Sequence, residues 1–505
     1  MATSIGTLLL GELQALSTEA RRKHPEIKEA AERVIVLMRG IKATDSAQIA
    51  AELAKSDEVV GPFVLGCKSG NQRLVAASVQ CLQQLVSHQA VSPRSIRATL
   101  GTLNAVGHLG TDIQVKVLQM VLPLVTMYDG SVFGETLVEA LHLCLALQRS
   151  RDLIVNNTAA AILRQVVVAV FDRVVAEDGA HTAGEDHCAD SAERDMTRRY
   201  AKDAYFVLQD LCLLAAGGDS IFIRVDAVDQ GLILDLLESV LANHAAVLAR
   251  HAAMVQILRE RLAPFLVGFF GEKAPFTLAV RCTRIVWLFV RDLHGALAAE
   301  CEVLLALLAR LIDPGAAKPA ARRQSISAQH PVALVPSKAA GAGGLPVFYR
   351  VLAAEVARLA LQDPRLLCGL YAQYDGRGTD GSRVVADLVA AMAKLATEQP
   401  ELRASNGGGG GIPAADSTAG AGQGAPPAAA DGAADPRAAQ LGPHNSSLRA
   451  ELHRLLDKHD PPSVPETYLV YLALTTVTAV ADGLATHTLE RCSRTVATAG
   501  PDAAT

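Results

Sequence analysis

A chain of 505 residues, half of them hydrophobic but only 4% aromatic, has material for several cores built from Ala, Leu and Val, and Ala and Leu are strong helix formers. Its net charge of −5 is too small to draw it to nucleic acid. The nine cysteines (Cys67, Cys81, Cys144, Cys188, Cys212, Cys282, Cys301, Cys368, Cys492) include no CxxC pair. Scattered through apolar periodic segments, they read as reduced core residues of a cytosolic protein.

The start, Met1 to Leu10, has no basic residue, and its apolar run breaks into Glu12, so it is not a signal peptide. Apolar residues then recur at helical spacing almost without interruption up to residue 312. Arg21-Arg22-Lys23-His24 closes the first helical stretch. The simple reading is a solvated helix end whose cations favour the helix C-terminus; the functional reading is contact with an anionic membrane or an acidic partner. Pro25 begins the next helix. Gly61-Pro62-Phe63-Val64-Leu65-Gly66-Cys67-Lys68-Ser69 nearly spells a phosphate-binding loop. Cys67 is one residue too many before the Lys-Ser pair, Pro62 removes an amide, and Phe63 to Leu65 look like a helix face. Helices follow over 71–87, after Ser92-Pro93, from Asp112, over 134–147 and from Asn156 to Val174. The last is too apolar for a lone surface helix, and an acidic residue at Ala160 is expected to destabilise it. Asn156 and Asn157 match a glycosylation acceptor but fit better as amides bonding exposed backbone at a helix start.

Asp178 to Arg199 is polar and reads as a linker. His181, Glu185, Asp186, His187, Cys188 and Asp190 are metal-ligand types, but Gly179 and Gly184 beside them suggest a mobile segment rather than a tetrahedral site. Pro314 to Pro346 is rich in Ala, Pro, Gly and Ser, and Ser405 to Pro443 opens with Gly407 to Gly411. Both low-complexity stretches are expected to be disordered. In the first, Arg322-Arg323-Gln324-Ser325 suits a basophilic kinase, which makes Ser325 a candidate phosphosite. The longest late uncharged run, Thr467 to Ala481, falls short of the roughly 18 apolar residues of a membrane span, so membrane association is expected to be peripheral. The pattern predicts an all-α fold, an irregular armadillo- or HEAT-like α-solenoid with long disordered loops. GxSxG and HExxH are absent, His88, His142 and His294 read as surface or hydrogen-bonded helix residues, and neither an enzyme nor a cofactor is implied.

Several segments, in order, resemble the monensin-sensitivity family of Golgi and endosome trafficking proteins, non-catalytic relatives of the large Arf guanine-nucleotide exchange factors. They are His24 to Glu32, Val59 to Cys67, Leu82 to His88 with Val91-Ser92, and Asn156 to Val174 continued by Val175 to Asp178. Asp203-Ala204-Tyr205, Gln209 to Cys212, Gly231 to Leu241 and Glu300 to Val303 continue the match, as do Leu455 to Lys458 and Val464 to Tyr468. Gln373-Tyr374-Asp375-Gly376 stands where the exchange factors carry an Asn-Tyr-Asp-Cys box; Tyr374 and Asp375 match it.

The resemblance implies a dimerisation and cyclophilin-binding-like domain over 1–176, a linker over 177–194, and a homology-upstream-like domain over 195–398 with an insertion at 314–345. It also implies a linker over 399–444, a helical segment of a truncated following domain over 445–492 and a disordered tail at 493–505. The implied function is a scaffold for transport between endosomes and Golgi, cytoplasmic and peripheral on trans-Golgi network or endosome membranes. Implied partners are Arf-like small GTPases, Dopey-type proteins, an aminophospholipid flippase and a second copy of the chain. Candidate contact residues are Arg21, Arg22 and Lys23. The alternative is the regulatory N-terminal half of a large Arf exchange factor. A generic adaptor for basic signals is disfavoured by the single tryptophan, Trp287.

Overall fold

The computed structural model describes residues 5–20, 23–42, 45–181, 198–225, 228–270, 274–313, 346–376, 382–397 and 466–498. Among these the regular structure is helical and no strand occurs. The expectations placed on Arg21, Arg22, Ser325, Cys188, the 182–197 segment and the two low-complexity stretches lie outside the described residues. Two compact units divide the chain, 1–262 and 263–505.

The first unit runs α1 (Ile5–Ala20), α2 (Pro25–Gly40), α3 (Ser46–Leu53), α4 (Gly61–Lys68), α5 (Gln72–Ser87), α6 (Ile96–Val106), α7 (Thr111–Met127), α8 (Glu135–Gln148), α9 (Leu153–His181), α10 (Arg199–Ala215), α11 (Gln230–Arg250) and α12 (Ala252–Ile257). Local chemistry sets many of the starts. Pro25 and Pro62 occupy first-turn positions, where the missing N–H is not needed. Asn71 caps α5 by accepting from Arg73 N at 3.0 Å, and Asp229 caps α11 by accepting from Leu232 N at 2.9 Å. α2, α4, α6 and α8 lie side by side in one layer, and α1, α5, α7 and α9 in the other. This is the stacked-hairpin arrangement expected of a solenoid. The near phosphate loop is helix α4. Gly66 within it lies so close to α5 that a Cβ there would stand 2.0 Å from Ser78 Oγ.

α9 is longer than the 156–174 stretch read from sequence and runs from Leu153 to His181. α10 and α11 pack on it as α7 and α8 do, and all belong to the first compact unit. The buried residues of α9 (Val155, Ala159, Leu163, Val166, Val167, Val170, Phe171 and Val174) form one broad apolar face that α7, α8, α10 and α11 cover, while Asn157, Ala161, Arg164, Gln165, Asp172 and Ala176 stay exposed on the other. Ala159 is fully buried, whereas Ala160 is only half-buried.

The second unit runs α13 (Ala263–Phe269), α14 (Phe276–Leu288), α15 (Ala298–Ile312), α16 (Val347–Gln362), α17 (Pro364–Leu370), α18 (Val384–Thr397) and α19 (Glu466–Thr498). α16 is its hub, touching α14, α15, α17, α18 and α19. π-helical turns, over 289–293 and 371–375, extend α14 and α17. Two stretches are long and apolar enough to cross a membrane by composition, 230–250 and 468–486. More than half of the first is buried within its unit. The second packs Tyr468, Leu469, Leu472 and Ala473 inward.

Candidate functional site

Tyr374 and Asp375, matched from sequence, sit in the π-helical turn that ends α17. Such turns add a residue to the helix and re-aim side chains. Tyr374 is buried, and its hydroxyl donates to Ala298 O, the first residue of α15, at 2.9 Å. Gln373 Nε2 donates to His294 O at 2.9 Å. The Asp375 carboxylate accepts from Val385 N at 3.2 Å and Ala386 N at 2.8 Å, so it caps α18. Gly376 N closes the turn on Tyr371 O at 2.7 Å; a Cβ at residue 376 would lie 3.3 Å from Ala372 Cα. The box therefore holds the start of α15, the end of α17 and the start of α18 together. Its side chains face the protein and not a ligand.

In the first unit, buried charge collects where the layers turn. Asp178, read from sequence as the start of a linker, is the last buried charge of α9. Its carboxylate meets Arg198 Nη1 at 3.0 Å, Arg250 Nη2 at 3.3 Å and the buried ring of His251 at 3.2 Å. It thus joins the ends of α9 and α11 to the start of α10. Arg173, one face of α9 earlier, donates to Val132 O at 2.6 Å and to Val125 O. Asp210 of α10 accepts from Ile221, Phe222 and Ile223 N at 2.8, 2.8 and 2.6 Å. Three consecutive amides on one carboxylate tie residues 221–223 to α10, and His142 Nε2 meets Ile223 O from α8. Asp203 accepts from Gly134 N at 2.9 Å, in a turn whose φ of 53° favours glycine. Burial raises the Asp203 carboxyl above its ordinary range, against that amide and nearby arginines that lower it.

No nucleophile is activated among these groups. Cys67, Cys81, Cys144 and Cys212 are buried free thiols pushed up to about 12 by desolvation, and Cys282 and Cys301 are raised further by the same cause. Among the described residues no group of three His, Cys, Asp or Glu side chains is placed to hold a metal ion. A groove of about 430 Å³ lies among α2, α4 and α6, lined by Arg33, Asp57, Glu58, Val64 and Leu65.

Of the sequence candidates, Lys23 is exposed in the turn between α1 and α2, and His24 next to it lies 3.4 Å from Glu26. Asn156 Nδ2 donates to Gln148 O, the backbone role expected of it. Asp178, Asp210 and the buried pair Glu355–Arg358 of α16 were not singled out from sequence. Asp178 meets residues far along the chain, Asp210 meets amides 11 to 13 residues on, and Glu355 and Arg358 sit in an Ala-rich helix; only polar residues within otherwise apolar periodic segments hinted at them.

Two family models match. One described as the Mon2/Sec7/BIG1-like dimerisation and cyclophilin-binding domain covers residues 2–178, and one described as the Mon2/Sec7/BIG1-like HUS domain covers residues 200–381. The chain is 28% identical over 94% of its length to the protein MON2 homolog of Xenopus laevis. It is 33% identical over 60% of its length to the protein MON2 homolog of Homo sapiens, and 30% identical over 60% to monensin-resistant homolog 2 of Caenorhabditis elegans. It spans 28%, 19% and 21% of those three proteins respectively.

Proposed function

Because the chain belongs to the Mon2 family, we propose that it is a non-catalytic scaffold for vesicle-mediated transport between endosomes and Golgi, held peripherally on the membrane and engaging Arf-like small GTPases. The observation that carries the reading is that the described residues of both matched regions are stacked helices in which Asp178, Asp203, Asp210 and the Glu355–Arg358 pair bond to the protein itself, while broad helical surfaces remain exposed. Stacked helices present such surfaces for partners. We assign 1–176 to self-association and 195–398 to the second interaction domain, with 177–194 between them. Dopey-type proteins and an aminophospholipid flippase are the further partners we propose, on trans-Golgi network and endosome membranes. Arg21, Arg22 and Lys23 are a proposed contact for acidic partners, and Ser325 a proposed phosphosite.

The test is capture of the chain by immobilised Arf-like GTPases in their GTP and GDP forms, with flotation on vesicles in parallel. GTP-dependent capture and flotation are expected; failure of both overturns the reading. A second reading, the regulatory half of an exchange factor, is favoured by the Sec7/BIG1-like description of both matched domains. Under it, the open reading frame downstream would encode an exchange domain; under the first it would not.

A further inference from the structure

The first turn of α9 carries the most exposed large apolar side chain of the described residues, Leu153 at 75%, with Ile154 beside it at 65%. Core packing does not claim this pair, since α9 turns Val155 and Ala159 inward instead. Arg149 and Arg151, both exposed, immediately precede it. Local hydrogen bonds shape the tip. Asp152 accepts from Ile154 N at 2.8 Å and from Thr111 Oγ1 at 2.9 Å, Ser150 Oγ accepts from Asp152 N at 3.3 Å, and Ser150 N donates to Leu147 O at 3.0 Å. Hydrogen bonding holds the Asp152 carboxyl below its ordinary range.

The neighbouring turns share the edge. α4–α5, α6–α7 and α8–α9 are successive hairpins whose first helices lie in one layer and second helices in the other, which puts their turns together; the Thr111–Asp152 bond joins the last two directly. Along that edge Lys68, Arg73, Arg149 and Arg151 are exposed, and Asp112 and Asp152 are the acidic residues of these turns. The edge is basic, and the Leu153–Ile154 pair protrudes from it.

We propose that Leu153 and Ile154 insert into the interface of an anionic membrane, with Arg149 and Arg151 against the headgroups. The inference rests on the peripheral-membrane part of the function proposed above and gives it a site. A protruding apolar pair with flanking cations fits a lipid surface, because entering the headgroup boundary buries apolar area while cations gain from the negative surface potential. A protein partner would need a concave pocket for two adjacent side chains, and nothing at the tip favours that.

The experiment is sedimentation of the full chain with phosphatidylcholine vesicles, with and without phosphatidylserine. The wild-type chain should bind the anionic vesicles, less at high salt. Leu153→Ser with Ile154→Ser should weaken partitioning roughly tenfold or more, and neutralising either arginine with Gln about fivefold. Val36→Ser, at an equally exposed valine of α2 (68%), should change nothing. All the substituted residues are exposed, so circular dichroism should report an intact fold. A wild-type chain that ignores vesicles removes the peripheral reading and this inference with it. A wild-type chain that binds, with the Leu153/Ile154 variant binding equally well, leaves that reading standing and overturns the site.

Discussion

α9 and α16 each pack against several neighbouring helices, yet they place their charges differently. α9 keeps its buried charges near its C-terminal end, where Arg173 satisfies loop carbonyls and Asp178 gathers Arg198, Arg250 and His251. α16 buries an ion pair within the helix. Glu355 and Arg358 are 4% and 6% exposed, Arg358 Nη2 lies 2.8 Å from Glu355 Oε2, and Tyr468 of α19 donates to Glu355 Oε1 at 2.8 Å. Charges at a layer edge join segments that must turn there. A pair inside a helix interface instead fixes which residue of the partner helix sits opposite, since only Tyr468 completes the carboxylate. A buried pair brings little net stability over apolar residues of the same size, but it penalises strongly any packing that leaves one partner alone.

That difference can be broken at the α16 end first. Arg358→Ala leaves the Glu355 carboxylate buried with only the Tyr468 hydroxyl, and should destabilise the second unit by roughly 3–5 kcal/mol in denaturant unfolding. Pairing Arg358→Met with Glu355→Leu should recover most of the loss; no recovery would mean that the pair stabilises outright and does not merely specify register. At the α9 end Asp178→Asn should cost roughly 1.5–3 kcal/mol. The loss should appear in hydrogen exchange at the start of α10 and the end of α11 rather than throughout the unit, because the joint is at the edge. Uniform acceleration of exchange would contradict the edge role. Smaller again is Tyr374→Phe, which deprives the Ala298 carbonyl of its donor, about 1 kcal/mol, read as a lowered melting temperature with vesicle and GTPase binding unchanged. Lost binding at unchanged stability would instead make the box a contact surface.

Much of the architecture was legible locally. The proline helix starts, the helical character of Gly61 to Ser69 and the stack of helices follow from spacing and local signals, because those signals involve neighbours in sequence, whereas Asp112 and Asn156 lie inside their helices and not at the caps. What escaped has partners far along the chain. Asp178 has a polar stretch after it and reads as a linker until Arg250 and His251 are brought to it. Glu355 and Arg358 read as the solvated stripe of an Ala-rich helix until α19 covers them. The stretch read from sequence as Asn156 to Val174 leaves out Leu153 and Ile154, which the structure places in the first turn of α9.

The smallest expected effect belongs to Asp203, which sits between the layer turn at Gly134 and the arginines of α9 and α10. Desolvation raises its carboxyl in the folded protein above the unfolded value. The folded state then holds more protons than the unfolded state between the two values, so unfolding free energy falls as pH rises through that window. The penalty is absent below the unfolded value and fully present above the folded one. Asp203→Asn keeps an oxygen able to accept from Gly134 N but cannot ionise. Its stability relative to wild type should therefore improve as pH rises from strongly acidic to neutral, with a flat difference beyond. The check is a pair of melting-temperature profiles against pH. If instead the variant loses ground toward neutral pH, the arginine attractions outweigh desolvation, and Asp203 works as an edge charge in the same way as Asp178.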